Sequence, residues 1–184
     1  GDPDDAAYEE IEEETGLGPD EVTLVRRGDP FEVTDDDLDI AWMVHPSLFD
    51  ADRRDIETNW ETAASEWVQP TAIRARETVP DLWTSYDEVR PTVKTVESDS
   101  VHGAAYISLR ALDVLRDEAA AVRDAGGEWR EIARVGRDLR DARPEMAAVA
   151  NRVNEVMYRA SRDRTPAAVH DAAVAGVQDA ASAE

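Results

Sequence analysis

The stretch that decides how the front of this chain folds is residues 8–17, which read YEEIEEETGL. Apolar Ala7 and Ile11 are four residues apart, and this spacing predicts a helix over residues 5–15 with one apolar side. Gly16 follows directly, and glycine commonly ends a helix because it adopts the left-handed backbone conformation without strain. The sequence therefore predicts a short acidic helix with a defined end.

Three glutamates of this helix, Glu10, Glu13 and Glu14, have the i, i+3, i+4 spacing that places side chains on one helix face. Like charges at this spacing destabilise a helix by roughly 0.2–0.5 kcal/mol per pair. A hard divalent cation reverses the sign of that effect, because Mg2+ and Mn2+ prefer several oxygen ligands. From the spacing alone, a solvated acidic face is the favoured interpretation and a divalent-metal site is the alternative.

The composition of the whole chain is strongly acidic. Its 184 residues contain 42 Asp and Glu against 20 Lys and Arg, which gives a net charge of −22. Such a field repels nucleic acid and anionic membranes, so neither is an expected partner. Hydrophobic residues make up 42% of the chain and recur periodically, which argues against disorder. Lys94 is the only lysine, and this acid-rich, lysine-poor composition resembles that of cytoplasmic proteins from haloarchaea.

The missing residue types narrow the function classes further. Without cysteine, the chain has no disulfide, no thiolate metal site and no cysteine nucleophile. No apolar run approaches the length of about 18 residues that spans a membrane, and no signal peptide opens the sequence. We therefore expect a cytoplasmic protein without a membrane partner.

Strands are predicted behind the acidic helix. Short apolar or alternating runs at residues 22–25, 31–33 and 66–68 each predict a strand. Residues 40–49 are the strongest strand candidate, and Pro46 within them predicts an edge or a bulge.

The tryptophans are assigned first to packing. Trp42, Trp67 and Trp129 lie on apolar stripes and are predicted to be core residues. Trp60 and Trp83 are also expected to pack, with the cover of a base or of a domain interface as the alternative.

The second half of the chain has a helical pattern. Helices are predicted over residues 101–125, from Trp129, from Pro144 as a first-turn proline, and from Thr165 as an N-cap. The predicted fold class is therefore α+β, with a partial mixed sheet and a carboxylate helix followed by an all-α domain of about four helices. The predicted domains are residues 1–77, a linker at 78–95, and residues 96–184.

The acidic helix resembles the second half of the Nudix box, the metal-holding motif of Nudix hydrolases. That half reads Arg-Glu-aliphatic-x-Glu-Glu-x-Gly-aliphatic, and the matching residues here are Glu10, Ile11, Glu13, Glu14, Gly16 and Leu17. The EWVQP pattern at residues 66–70 is also similar to the end of Nudix domains. Glu9 stands at the position of the box arginine, which is expected to orient a catalytic glutamate. The resemblance implies a Nudix-type mixed sheet whose front strands would precede residue 1.

This resemblance implies a Mg2+- or Mn2+-dependent hydrolase of nucleoside diphosphate derivatives. Glu10, Glu13 and Glu14 would be the metal ligands, Glu13 and Glu14 would be catalytic, and a metal-bound water would be the nucleophile. Glu66 is a candidate for a further acid.

The helical half resembles the helical amino-terminal domain of the initiation factor 2B-like family, which includes ribose-1,5-bisphosphate isomerase. The resemblance lies in residues 99–115, DSVHGAAYISLRALDVL, and in Arg143 with the proline after it. It implies that Gly103, Ala104 and Arg143 bind a nucleotide or sugar phosphate, and that this domain forms a homo-oligomer. His102 stands where the isomerases have an arginine. A cap or interface role for His102 and a structural salt bridge for Arg143 are the alternatives.

Two functions of different classes follow from these patterns. The first is a Nudix-type hydrolase joined to an initiation factor 2B-like domain. The second is a non-catalytic sensor or scaffold, or a relative of the sugar-phosphate isomerases, that acts through oligomerisation and phosphorylated-ligand binding. The intact Glu-x-x-Glu-Glu spacing favours the first and Glu9 favours the second, so the sequence leaves enzymatic activity open.

Overall fold

The strands and the long helices lie in different parts of the chain. A computed structural model describes residues 2–35, 40–58 and 64–181. These divide into a front unit, Gly1–Arg90, and a back unit, Pro91–Glu184. Because the front unit holds the strands and the back unit is helical, the predicted α+β class is confirmed.

The first element of the front unit is helix α1, Pro3–Thr15, which confirms the predicted helix. It begins earlier than predicted because Pro3 fits the first turn and the Asp2 side chain accepts a hydrogen bond from the N–H of Asp4 at 3.1 Å. It ends at Gly16, whose φ of +68° is the left-handed conformation that favours glycine. Local signals at both ends therefore define this helix.

Among the described residues, four strands follow and form two antiparallel pairs. They are β1 (Val22–Arg27), β2 (Phe31–Asp35), β3 (Ile40–Val44) and β4 (Ser47–Ala51). β1 pairs with β4 and β2 pairs with β3, each as a separate two-stranded sheet. The strands predicted at residues 22–25 and 31–33 are confirmed.

The single strand predicted over residues 40–49 is two strands instead. β3 ends just before Pro46 and β4 begins directly after it. Because proline has no N–H to donate to a ladder, pairing with β2 stops there and the chain next pairs with β1. Pro46 thus separates two sheets, and the register irregularity lies in β1, between Leu24 and Arg26.

Two core predictions for the front unit are wrong. Trp42 on β3 is 42% exposed and Trp67 is 52% exposed. Residues 66–68, predicted as a strand, are irregular, and the Trp67 indole N–H donates to the carbonyl oxygen of Arg54 at 2.8 Å. A two-stranded sheet by itself offers too little surface to bury a tryptophan.

Several elements contribute to the interior of the front unit. Its buried apolar side chains include Leu17, Val22, Val33 and Val89. A short 3-10 helix, Pro70–Arg74, and helix α2, Leu82–Val89, follow the strands. Arg26 of β1 donates to the carbonyl oxygens of Val89 and Arg90, both at 2.9 Å, and so ties the end of α2 to the sheet.

Up to residue 181, where the description ends, the back unit contains one short helix and four longer ones. They are α3 (Val93–Ser98), α4 (Ala104–Asp124), α5 (Trp129–Ala142), α6 (Ala147–Ala160) and α7 (Pro166–Ala181). The four predicted helices correspond to α4 through α7. α6 begins three residues after Pro144, because the chain first makes a turn in which the Met146 N–H donates to the Arg143 carbonyl at 2.9 Å. None of the described helices is long and apolar enough to cross a membrane.

Helix α4 is at the centre of the back unit, where it packs against α3, α5, α6 and α7. The side chains that are almost fully buried include Ile107, Leu112, Leu115, Ile132, Leu139, Val149, Val153 and Val169. α4 also buries charges: the Arg116 guanidinium lies 2.7 Å from carboxylate oxygens of both Asp113 and Asp117. Each buried charge therefore has an opposite charge beside it on the same helix, which offsets the cost of removing it from water.

The remaining tryptophans differ from one another. Trp129 is partly buried against the core of the back unit. Trp83 packs edge-on against Tyr86, with ring centroids 5.4 Å apart, and the Arg74 guanidinium lies 4.5 Å from its ring centroid. Packing therefore accounts for both side chains. Trp60 lies outside the described residues.

Candidate functional site

The carboxylate helix α1 is attached to the front unit by one of its sides. The Tyr8 ring meets Phe49 of β4 edge-on, with centroids 5.1 Å apart. Near the start of the helix, Arg27 of β1 donates from its Nε to both oxygens of Asp4, at 2.8 and 2.9 Å. These hydrogen bonds hold the pKa of Asp4 below its usual value. The contacts fix the position of α1 and leave its other side to solvent.

The three predicted metal ligands lie on that free side. Glu10, Glu13 and Glu14 are all exposed, and none of their side chains forms a hydrogen bond or an ion pair with another described residue. Their carboxylate oxygens are the donors that Mg2+ and Mn2+ prefer. Within the described ranges, however, no group of three or more acidic or histidine side chains is arranged to hold a metal. The donor chemistry fits the cation, whereas the described side chains do not yet converge on one point.

An arginine that sequence reasoning missed lies at the other end of the helix. Arg53 donates from its Nε to Glu21 at 2.5 Å and from a terminal nitrogen to the carbonyl oxygen of Gly16 at 3.1 Å. A cation at a helix C-terminus interacts favourably with the helix dipole. The hydrogen bond from Arg53, together with one from the N–H of Gly18, lowers the pKa of Glu21. No local signal marks Arg53, because it is far from Gly16 in sequence.

The further acid candidate, Glu66, is engaged elsewhere. It is exposed on the irregular segment before the 3-10 helix and forms an ion pair with Arg76 at 3.0 Å. Glu9, at the position of the box arginine, is also exposed and adds a negative charge beside the face of Glu10, Glu13 and Glu14. Neither residue supplies the positive charge that would orient a catalytic glutamate.

The predicted phosphate-binding turn lies at the start of α4. Gly103 is the N-cap residue, and none of the described side chains caps this helix. A Cβ atom added to Gly103 would meet no atom within 4 Å, so the space in front of the turn is open. The first N–H groups of a helix, including that of Ala104, lack partners within the helix and can bind a phosphate. The turn therefore has the access and the donors that its predicted role requires.

Asp99 organises the loop that leads to this turn. Its Oδ1 accepts hydrogen bonds from the N–H groups of Val101 and His102, both at 3.0 Å, and its Oδ2 lies 2.9 Å from Nδ1 of His102. Partial burial acts to raise the pKa of Asp99, but the hydrogen bonds from His102 and Val101 outweigh it and leave this pKa lowered. The His102 ring also stacks on Tyr106, with centroids 4.0 Å apart. The structural alternative for His102 therefore agrees with the geometry.

Arg143 reaches the same corner from the turn between α5 and α6. Its side chain is largely buried and donates to the carbonyl oxygens of Val96, at 3.4 Å, and Asp99. It also pairs with Glu145 at 2.7 Å, and this hydrogen bond lowers the pKa of Glu145. The structure therefore brings Arg143 to the loop that precedes Gly103, but its guanidinium already forms hydrogen bonds with other residues of the protein. These contacts agree with the structural alternative for Arg143.

The sequence contains a signal for Asp99 that was missed. An aspartate that accepts hydrogen bonds from the N–H groups two and three residues later forms a common local turn. The spacing from Asp99 to His102 allows this turn, and it could have marked Asp99 as the residue that links His102 with Arg143.

Comparisons of the chain with models of protein families, with curated proteins and with solved structures found no match. The Nudix and initiation factor 2B-like resemblances therefore rest on their motif residues alone.

Proposed function

We propose that the front unit binds Mg2+ or Mn2+ through Glu10, Glu13 and Glu14 and acts as a Nudix-type hydrolase of nucleoside diphosphate derivatives. The observation that carries this proposal is the exposure of all three glutamates on α1, without a described protein partner. Three carboxylates at this spacing repel one another unless a cation lies between them.

The roles proposed for the glutamates are those that the Nudix resemblance implies. When bound, the cation would neutralise phosphate oxygens and supply an activated water. Glu10, Glu13 and Glu14 would hold it, and Glu13 and Glu14 would also orient the water that attacks phosphorus. Because the Tyr8 and Asp4 contacts fix α1, this face can present its carboxylates to a substrate without moving the helix.

A second candidate is a non-catalytic sensor or scaffold of the initiation factor 2B-like type. The open turn at Gly103, with its uncapped helix start, favours binding of a phosphorylated ligand. Glu9 in place of an arginine also favours this candidate, because it adds repulsion at the metal-binding face. In this case the chain would bind phosphorylated ligands and assemble without turnover.

Titration with Mn2+ in molar KCl tests the metal-binding face. We expect Mn2+ to raise the Tm of the full chain, since a ligand at 100 times its Kd stabilises the folded state by about 2.7 kcal/mol. The Glu13→Gln, Glu14→Gln double variant should lose this response. The matched control is Asp5→Asn, Glu12→Gln, which removes two exposed charges of α1 that lie outside the face of Glu10, Glu13 and Glu14, and it should keep the response.

An equal Mn2+ response in all three proteins would exclude the proposed ligands. Hydrolysis of ADP-ribose or of nucleotide sugars, measured on the same proteins, then separates the two candidates. Turnover that the Glu13, Glu14 variant loses supports the hydrolase. Mn2+ binding without turnover of either substrate, combined with binding of a sugar phosphate, supports the sensor or scaffold.

A further inference from the structure

The last turn of helix α1 carries charges that disfavour a helix end. It contains Glu12, Glu13 and Glu14 in succession, and no residue of this turn is basic. The carboxyl-terminal end of a helix has a partial negative charge, so carboxylates near it destabilise the helix and cations stabilise it. Two of the three proposed metal ligands therefore lie in the turn of α1 that its own sequence supports least.

A segment from a distant part of the front unit closes this turn. The N–H of Glu57 donates to the carbonyl oxygen of Thr15 at 2.9 Å, and a terminal nitrogen of Arg53 donates to that of Gly16 at 3.1 Å. The last carbonyl groups of a helix have no partner within the helix, so these bonds satisfy groups that would otherwise need water. The packing is close, because a Cβ atom on Gly16 would lie 3.2 Å from the Cβ of Glu57. Residues 53–57 therefore support the end of α1 from outside the helix.

Arg53 is itself held in a fixed position. Its Nε lies 2.5 Å from one carboxylate oxygen of Glu21, and a terminal nitrogen lies 3.2 Å from the other. Glu21 is fixed in turn, because it accepts a hydrogen bond from the N–H of Gly18 at 3.0 Å. Arg53 also donates to the carbonyl oxygen of Asp55. The rigid fork of the guanidinium thus joins the end of α1, the residue before β1 and its own loop at once.

We propose that Arg53 is a positioning residue for the proposed metal site: it holds the last turn of α1 helical and so presents Glu13 and Glu14 to Mg2+ or Mn2+. This inference rests on the function proposed above. Arg53 acts through the backbone at Gly16 and is not one of the ligands. Ligands that the fold has already ordered bind more tightly, because the cost of ordering them is not subtracted from the binding free energy. Arg53 therefore increases the affinity for the cation although it is itself a cation.

Charge alone predicts the opposite effect of removing this arginine. A region that loses a cation becomes more negative and attracts Mn2+ more strongly, although molar salt limits such attraction to about 3 Å. Loss of positioning weakens Mn2+ binding instead. The next residue, Arg54, provides a matched control, because its exposed side chain forms no hydrogen bond or ion pair with a described residue. Arg53→Gln and Arg54→Gln thus remove the same charge from adjacent positions, and only the first releases the end of α1.

Mn2+ titration of the full chain in molar KCl, followed by the electron paramagnetic resonance signal of free Mn2+, measures the affinity. We expect Arg53→Gln to raise the Mn2+ Kd about fivefold or more, as loss of a hydrogen bond to a charged group should. Arg54→Gln should bind Mn2+ as tightly as the wild type. Arg53→Lys keeps the charge without the fork and should recover part of the affinity. Circular dichroism shows whether each variant is folded.

Amide hydrogen exchange of the metal-free proteins tests the positioning separately. Arg53→Gln should speed exchange of the Thr15 and Gly16 N–H groups about fivefold or more. Exchange at Tyr8, near the end of α1 that Asp4 and Arg27 hold, should stay unchanged. Unchanged exchange at Gly16, or equal Mn2+ Kd values for Arg53→Gln and Arg54→Gln, would overturn the inference and leave the proposed metal site standing. A wild type that binds no Mn2+ would overturn the metal site, and this inference with it.

Discussion

The front and back units bury their apolar residues to different extents. In the front unit, two separate two-stranded sheets leave Ile40, Trp42 and Met43 of β3 exposed. In the back unit, α4 contributes a continuous set of buried residues to a core shared with its neighbours. A helix satisfies its backbone hydrogen bonds internally and needs only one apolar side to pack, whereas a strand needs partners along both edges. Apolar periodicity in the sequence therefore predicts burial better for the back unit than for the front unit.

The largest expected effect on the free energy of unfolding comes from replacing a buried apolar residue of the back unit, and an exposed apolar residue of the front unit serves for comparison. Leu115→Ala in α4 removes a fully buried side chain and should lower the free energy of unfolding by about 2–5 kcal/mol. Met43→Ala in β3 removes a side chain that is 54% exposed and should change it by about 0.5 kcal/mol or less. Urea unfolding followed by circular dichroism measures both. Similar losses for the two variants would contradict the difference in burial.

A smaller effect on the free energy of unfolding is expected from replacing glycines in two turns, Gly28 in the front unit and Gly103 in the back unit. A Cβ atom on Gly28, in the turn between β1 and β2, would lie 2.6 Å from the Cβ of Glu88, so α2 or the turn must shift. We expect Gly28→Ala to cost about 1–3 kcal/mol. Gly103→Ala has open space and an ordinary φ of −79°, so it should change the free energy of unfolding by about 0.5 kcal/mol or less. Thermal unfolding that ranks the two variants in the opposite order would contradict the close packing at Gly28.

The smallest expected effect compares two aspartates at low pH. The folded-state pKa of Asp99 is lowered, so its charge stabilises the fold above its unfolded pKa of about 3.9, and this contribution disappears as pH falls through the folded value. Asp99→Asn should therefore cost about 1 kcal/mol at pH 7 and less toward pH 3. Asp4→Asn should cost less, because its partner Arg27 is 62% exposed and solvent weakens such pairs. Unfolding between pH 3 and pH 7 measures both differences, and a cost of Asp99→Asn that grows toward pH 3 would contradict the sign.

Sequence reasoning succeeded where the determining contacts are local. Asp2, Pro3 and Gly16 define both ends of α1 within the helix and its caps, and Thr165 accepts a hydrogen bond at the start of α7 as predicted. The prediction of one strand over residues 40–49 was wrong, because the division into β3 and β4 depends on the strand with which each half pairs. The exposure of Trp42 has the same origin. An apolar stripe shows what a strand could bury, but the remainder of the sheet decides what it does bury.

The candidate sites divide in the same way. Glu10, Glu13 and Glu14 share a helix face through spacing alone, and that placement needed only the sequence. The commitment of Arg143 to the carbonyl oxygen of Asp99 joins residues 44 apart and could not be inferred from either motif. Arg53 at the end of α1 is a similar case. Long side chains can choose among many distant partners, and only the packed chain selects one.

The sequence by itself determined the acidic character of this protein, its carboxylate helix, the order of strands before helices and the approximate positions of α4 to α7. Each of these depends on composition or on contacts within about four residues, which the chain order specifies directly. Only the tertiary structure decided that Pro46 separates two sheets and that Arg143 and His102 form contacts with Asp99. These features depend on which surfaces meet after folding, and burial and exposure are properties of the packed chain rather than of any one segment.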